Sequence, residues 1–295
     1  YSLSRQRQIG IRDSLAADRL DCQFGANEVC RWMSKPTEAA WQALKRLCRY
    51  LVGLPRVVFH YRWQTVDHVD IYTDTDWAGC PRTRKSTSGG CVLVGSHTTK
   101  TWSTTQSSIA LSSGEAEFNG VVRGAGIGLG YQSLLRDLGQ DLPLRVWTDS
   151  TAPIGICSRQ GLGKLRHLDT HTLWIQHAVR MGRVDLRNVL GEENPTDILT
   201  KQGLSGERLY KIVKLYGCGY RDGRSGLALL ARTGKPGRIT MANADRTVGK
   251  VGGNAKDQED QVHPDDSGTL RECSSNHGSR SQAPHSGGNG RGSPT

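Results

Sequence analysis

Four acids stand where a divalent cation could use them. Asp74 ends the alternating run Val69-Asp-Ile-Tyr-Thr-Asp74 and Asp149 ends Leu144-Arg-Val-Trp-Thr-Asp149. Glu117 lies inside a stretch of helical period, and Asp197 follows Pro195-Thr196. Alternation of apolar and polar residues marks a strand, so Asp74 and Asp149 each fall at a strand end, directly after a threonine. Glu115 lies two residues from Glu117 in a predicted helix, where such a pair diverges, and Asp76 lies two residues from Asp74 past the predicted strand end, so one member of each pair is expected to point elsewhere. A ligand set made only of carboxylates favours hard Mg²⁺ or Mn²⁺ over zinc. Two such ions about 4 Å apart can activate a water and stabilise the leaving oxygen of a phosphodiester displacement. That chemistry needs acids and no nucleophilic side chain. Asp197 has a second reading, because an acid in a first helical turn also interacts favourably with the helix dipole.

The elements that must position these acids follow from the periodicity. Pro36-Thr37-Glu38 opens an amphipathic helix with Trp41, Leu44, Leu47, Cys48 and Leu51 on one face, closed by Gly53 and Pro55. Residues 1–35 show looser helical spacing through Leu15, Leu20, Phe24, Val29 and Trp32. Val57–Tyr61 reads as a strand, and Val69–Asp74, Gly90–Gly95 and Lys100–Thr104 as a three-stranded antiparallel meander. The period then changes, predicting a long helix from Ala110 to Leu138 that stops at Gly139. Glycines at 120, 124, 126, 128 and 130 weaken that helix, and tight packing against a sheet would account for them. The strand ending at Asp149, a short helix through Ile154 and Ile156, a helix with Leu173–Val179, a strand Val184–Val189 and a short helix Thr196–Thr200 complete the order.

Composition limits the setting. The 295 residues include 36% apolar ones, enough for a real core, and carry a formal charge of +11. From Arg232 onward nine Lys or Arg face seven Asp or Glu, so nearly all of the excess lies in residues 1–231 and suggests a polyanionic partner. Glycine and serine dominate that tail, which is predicted to be disordered. Eight cysteines form no CxxC pair, which implies reduced thiols in an intracellular setting. No apolar run is long enough to span a membrane, and no secretory signal is present. Because the first residue is Tyr1, the expectation is a piece of a longer polyprotein.

Six segments now fall into one order: Tyr72-Thr-Asp-Thr-Asp-Trp-Ala-Gly79, Arg84-Lys-Ser-Thr-Ser-Gly89, Leu111-Ser-Ser-Gly-Glu-Ala-Glu-Phe118, Val146-Trp-Thr-Asp-Ser150, Arg166-His-Leu-Asp169 and Thr196-Asp-Ile-Leu-Thr-Lys201. In order and spacing they resemble the ribonuclease H domain of copia-type long-terminal-repeat retrotransposon Pol polyproteins. Met33–Glu38 and Ala43–Leu51 resemble the segment that joins the reverse transcriptase to that domain. The resemblance implies an α/β fold, a ribonuclease H-like mixed five-stranded sheet flanked by helices, with a helical N-terminal segment. It also implies residues 1–62 as the end of the connection, 63–204 as the ribonuclease H-like domain, 205–231 as an extension and 232–295 as the tail.

Carried over by position, the resemblance assigns Asp74, Glu117, Asp149 and Asp197 as catalytic ligands of two Mg²⁺ or Mn²⁺ ions. The implied activity is hydrolysis of the RNA strand of RNA·DNA hybrids, beside an upstream reverse transcriptase domain. Arg82, Arg84 and Lys85 in one loop, and Lys164, Arg166 and His167 in another, are candidates for gripping the hybrid's phosphates. Cellular ribonucleases H carry a histidine before the last acid, whereas Leu190-Gly-Glu-Glu-Asn194 has none, so proton transfer or product release is expected either to be slower or to use Glu192 or Glu193. The alternative reading is a catalytically inactive nucleic-acid-binding remnant of such a polyprotein. A polymerase is excluded by the lack of a Tyr-x-Asp-Asp element, and an integrase by the lack of a His/His/Cys/Cys set.

Overall fold

The computed structural model describes residues 15–161, 163 and 173–223. The predicted disordered tail and the cluster of Lys164, Arg166 and His167 lie outside them. After a helical turn at Ala16–Asp18, the elements are helices α1 (Gln23–Cys30) and α2 (Glu38–Gly53), strand β1 (Arg56–Phe59), and β2 (Val69–Asp76), β3 (Thr87–Val94) and β4 (His97–Thr105). Then come α3 (Ser113–Asp137), β5 (Leu144–Thr148), α4 (Thr151–Ser158), α5 (Trp174–Arg180), β6 (Asp185–Asn188), a 3₁₀ helix at Pro195–Leu199, α6 (Gly206–Leu215) and β7 (Cys218–Arg221).

Strands β4-β3-β2-β5-β6 form one five-stranded sheet, the ribonuclease H-like mixed sheet implied by the motifs. The expected meander supplies the antiparallel pairs β2/β3 and β3/β4, while β2/β5 and β5/β6 are parallel. On one face Val69, Ile71, Leu144 and Val146 pack with Phe118, Val121 and Ala125 of α3 and with Ile175 and Ala178 of α5. On the other face Cys91 and Leu93 pack with Leu20, Ile198, Leu199, Ile212, Val213 and Tyr216. Burying both faces is what allows parallel strands at the centre.

The N-terminal segment joins this second core. Leu20 is almost fully buried in it, and β1 pairs with β7 in a separate two-stranded antiparallel ribbon, Phe59 opposite Cys218. Gln23 donates to the Thr101 hydroxyl at 2.7 Å, and Arg31 donates to Thr87 at 2.6 Å and to Thr105 at 2.9 Å, which fastens α1 to the β3–β4 hairpin. Asp21 accepts from Arg19 at 2.8 Å and from Tyr50 at 2.6 Å, and the Tyr50 and Tyr220 hydroxyls are 2.9 Å apart, so α2 and β7 are also tied together. The apolar face of α2 is only partly covered, with no residue of the helix buried.

Three elements differ from the sequence reading. The long helix begins at Ser113, not Ala110, because the Ser112 hydroxyl accepts from the Glu115 amide at 3.2 Å and the Glu115 carboxylate accepts from the Leu111 amide at 2.9 Å. This reciprocal capping satisfies the first free amides and ends the helix upstream. Helix α6 and strand β7 lie in the stretch 205–231 for which no elements were expected, although Leu209, Ile212, Val213 and Tyr216 have helical spacing. The glycines of α3 divide into two sets. A Cβ on Gly120 would lie 2.6 Å from the Thr75 hydroxyl, on Gly124 2.5 Å from a Thr73 methyl, and on Gly128 2.6 Å from Leu144. Tight packing therefore explains these three, spaced one turn apart against β2, but a Cβ on Gly130 meets nothing within 4 Å.

The division predicts opposite effects of one substitution. Gly124→Ala should destabilise the full chain by about 1–3 kcal/mol through overpacking, and Gly130→Ala should stabilise it by about 0.5–1 kcal/mol through helix propensity. Chemical denaturation of the two variants beside the parent measures both signs, and equal effects would contradict the packing argument.

Candidate metal centre

The site grows from the register of two parallel strands. Thr73 of β2 is the last residue paired with β5, opposite Thr148, so Asp74, two residues inside the end of β2, and Asp149, which follows β5, stand side by side. Helix α3, held close to β2 by its glycine contacts, brings Glu117 over the same end of the sheet. Carboxylate oxygens of Asp74, Glu117 and Asp149 all lie within 4.8 Å of one another, and Asp74 is buried.

Two of these carboxyls, Asp74 and Glu117, are held above their ordinary values. Burial pushes the Asp74 carboxyl up to about 6, with the charges of Asp149 and Asp197 adding to it and the Thr200 hydrogen bond and Lys201 opposing. Burial pushes Glu117 up to about 9, with Asp74 and Asp149 adding to it. One oxygen of Glu117, Oε2, is buried and lacks a hydrogen-bond partner. A buried, unpartnered oxygen on a carboxylate that stands beside two other acids is what a divalent cation would satisfy, and the all-oxygen donor set suits Mg²⁺ or Mn²⁺.

Asp197 is held differently. Its two oxygens accept from Lys201 at 2.5 Å and from Arg208 at 3.0 Å, so the structure does not bring it into the cluster of three. Burial works against the Lys201 ammonium, but the hydrogen bond to Asp197 and the charges of Asp74, Asp197 and Asp149 raise its pKa above the ordinary value. Arg208 also donates to the Gly191 carbonyl at 2.9 Å and to that of Glu192, which fixes the loop before the 3₁₀ helix.

The neighbouring acids have other partners. Glu115 is spent on the capping of α3. Asp76 lies against Gly79, where a Cβ would collide with its carboxylate, and within the influence of Arg31. Of the basic loop, Arg82 donates to the Arg31 carbonyl at 3.0 Å and lies over the Trp32 ring, and Lys85 donates to the Ser107 carbonyl at 2.5 Å. Arg84 is exposed, at a positive φ of 55°.

Two residues absent from the sequence candidates position the centre. Thr200 donates its hydroxyl to Asp74, and Asn194, fully buried, donates to the Thr73 carbonyl at 3.2 Å. Gly89 sits directly opposite Asp74 in the β2/β3 ladder, and a Cβ there would lie 2.6 Å from Thr200 and 2.8 Å from Leu199. The missing side chain is the space through which Thr200 reaches the acid. Polar residues two to four places from Asp197 were the available signal, but their reach across to β2 depends on tertiary packing.

No family model matches the chain. It is 30% identical over 197 residues to the retrovirus-related Pol polyprotein from transposon RE2 of Arabidopsis thaliana, covering 65% of this chain and 14% of that protein. The corresponding polyprotein from transposon RE1 of the same plant is 30% identical over 196 residues, covering 65% of this chain and 13% of the relative. The chain thus spans about one seventh of the length of these relatives, 14% and 13%. Among solved structures, LC11-RNase H1 isolated from compost is similar at 17% identity and a TM-score of 0.33, covering 45% of this chain and 92% of that one.

The crowded acids predict a pH signature for the metal-free protein. Asp74 and Glu117 titrate above the unfolded-state value near 4, so the folded chain holds protons that the unfolded chain has already lost. The resulting stabilisation is present below about pH 4 and is lost as pH rises through about 6 and then about 9. With a chelator present, Glu117→Gln should therefore be more stable than the parent by roughly 1–3 kcal/mol at pH 8, and the gap should narrow at pH 5. Added Mg²⁺ should raise the melting temperature of the parent more than that of the variant. A gap that stays constant from pH 5 to pH 8 would refute the electrostatic account.

Proposed function

We propose, on the premise that this chain is a homologue of the retrovirus-related Pol polyproteins of copia-type transposons, that it hydrolyses the RNA strand of RNA·DNA hybrids. The observation that carries the reading is the meeting of Asp74, Glu117 and Asp149 at one end of the mixed sheet. Those three would hold the metal, with Asp197 as the fourth acid of the site. When bound, two Mg²⁺ ions would supply an activated water and stabilise the leaving oxygen of the displacement.

The chain's own residues prepare that chemistry. Thr200 holds one oxygen of Asp74 by its hydroxyl and so fixes the rotation of the carboxylate. Lys201 and Arg208 neutralise Asp197, which limits the negative charge that a phosphodiester backbone meets on approach. Arg82, Arg84 and Lys85 stand on the loop that follows β2, and in this reading they take phosphates of the hybrid. Selectivity for the RNA strand would rest on contacts to its 2′-hydroxyls.

The second reading, an inactive nucleic-acid-binding remnant, is favoured by one observation: both oxygens of Asp197 are already paired with cations. Incubating the purified chain with a labelled RNA·DNA hybrid and Mg²⁺ separates the two. The nuclease reading expects cleavage of the RNA strand alone, with Asp74→Asn and Asp149→Asn each reducing the rate about 100-fold or more. Hybrid binding without cleavage, unaffected by metal, would leave the remnant.

A further inference from the structure

The chain segments that flank two of the acids present an apolar surface that the metal site does not use. Trp77 follows the last residue of β2, three places after Asp74, and is 47% exposed. Ile109 and Leu111, just before α3 and its Glu117, are 52% and 69% exposed. Single exposed apolar residues are ordinary, but here three come from two loops that are fastened together at the end of the sheet that carries the acids. The Trp77 indole N–H donates to the Ala110 carbonyl at 3.1 Å, between Ile109 and Leu111 in sequence. The Gln106 amide donates to the Ser86 carbonyl at 2.8 Å, Lys85 to Ser107 at 2.5 Å, and the Ala78 amide to the Ser86 hydroxyl at 3.0 Å. Ala78 holds a positive φ of 55°, an uncommon conformation for a residue with a Cβ, and so the turn carrying Trp77 is set by its surroundings.

We infer that Trp77, Ile109 and Leu111 form a rigid shelf that packs against the sugars of the hybrid beside the acids. This rests on the hydrolase reading for its choice of ligand. The partner is set by charge: the same loop that starts with Trp77 continues into Arg82, Arg84 and Lys85, so an anion with apolar sugar faces matches both halves of the surface. The chemistry of the contact follows from the indole. Its only hydrogen-bond donor is already given to Ala110, which leaves the ring faces and excludes base reading by that N–H. Packing on the ring is indifferent to sequence and to salt, whereas the neighbouring cations act through counterion release and depend on salt.

That difference supplies the test. The full chain carrying Asp149→Asn, to prevent cutting, is titrated with a fluorescent RNA·DNA hybrid over a series of salt concentrations. Trp77→Ala should weaken binding about tenfold at every salt concentration and leave the slope of log affinity against log salt unchanged. Trp77→Phe keeps a ring but loses the bond to Ala110, and should bind close to the parent. Leu111→Ser, at an exposed position, should weaken binding by a smaller factor. If Trp77→Ala does not fold, tenfold weakening in Trp77→Phe or parental affinity in Leu111→Ser overturns the inference by itself.

Weakening of Trp77→Phe to the level of Trp77→Ala would make the indole a peg between loops and overturn the inference, as would parental affinity in Leu111→Ser together with Trp77→Ala. A changed salt slope in Trp77→Ala would overturn it too. Since the readout is binding by a chain that does not cut, failure here is separable from failure of the hydrolase reading, which cleavage by the parent decides.

Discussion

Three carboxylates held within 4.8 Å of one another repel, and much of the rest of the fold is arranged to bear that repulsion. At such a separation each ionised pair costs about 3 kcal/mol for an effective dielectric constant near 20. Burial adds to that cost and is the larger cause of the raised Asp74 and Glu117 carboxyls; protons can meet it, or a cation. A flexible scaffold would let the acids drift apart. Here Asp74 is anchored in the central strand of a sheet buried on both faces, Asp149 follows the strand beside it, and Glu117 rides on a helix pressed against that central strand.

Close approach is achieved by leaving side chains out. Gly120, Gly124 and Gly128 let α3 sit directly on Thr75, Thr73, Ile71 and Leu144, and Gly89 lets the 3₁₀ segment cross β3 at the level of Asp74. The Leu199 and Ile198 side chains then anchor this segment in the second core, where Leu20 from the N-terminal region meets Ile212 and Tyr216 from the C-terminal helix. Tyr216 donates to the Pro195 carbonyl at 3.0 Å and its own carbonyl accepts from Thr98 at 3.0 Å, so one buried residue links the 3₁₀ segment to β4. The cluster of acids and the far ends of the described residues are therefore parts of one packing problem.

How much of this could be read in the sequence depended on whether the signal was local. Strand alternation placed Asp74 and Asp149, helical period placed Glu117, and the Thr-Asp repeat marked two acids that the parallel register sets side by side, although β2 runs on past Asp74 to Asp76 because its pairing with β3 continues. The helix start at Ser113 was missed because Ala110 and Leu111 continue the apolar pattern, while the capping by Ser112 and Glu115 overrides it. The ion pairs of Asp197 were not legible, since Arg208 comes from a helix whose packing is set by residues far away in sequence. Thr200 and Asn194 belonged to a recognised segment, yet nothing local says that a threonine reaches across a strand to an acid.

The β1–β7 ribbon bears on the order in which the molecule can be made. Phe59 finds its partner Cys218 only after nearly the whole described chain has been synthesised, and a two-stranded ribbon is not stable alone. Until then β1 has an unpaired edge, and Leu20 lacks the Ile212 and Tyr216 side chains that later cover it. The 3₁₀ segment with Thr200 waits on the same late residues. The hydroxyl that Thr200 gives to Asp74 thus depends on a long-range closure, of the slow kind that such pairings impose. The Thr200 side of the site takes shape only when the region around Leu20 and the region around Tyr216 have come together.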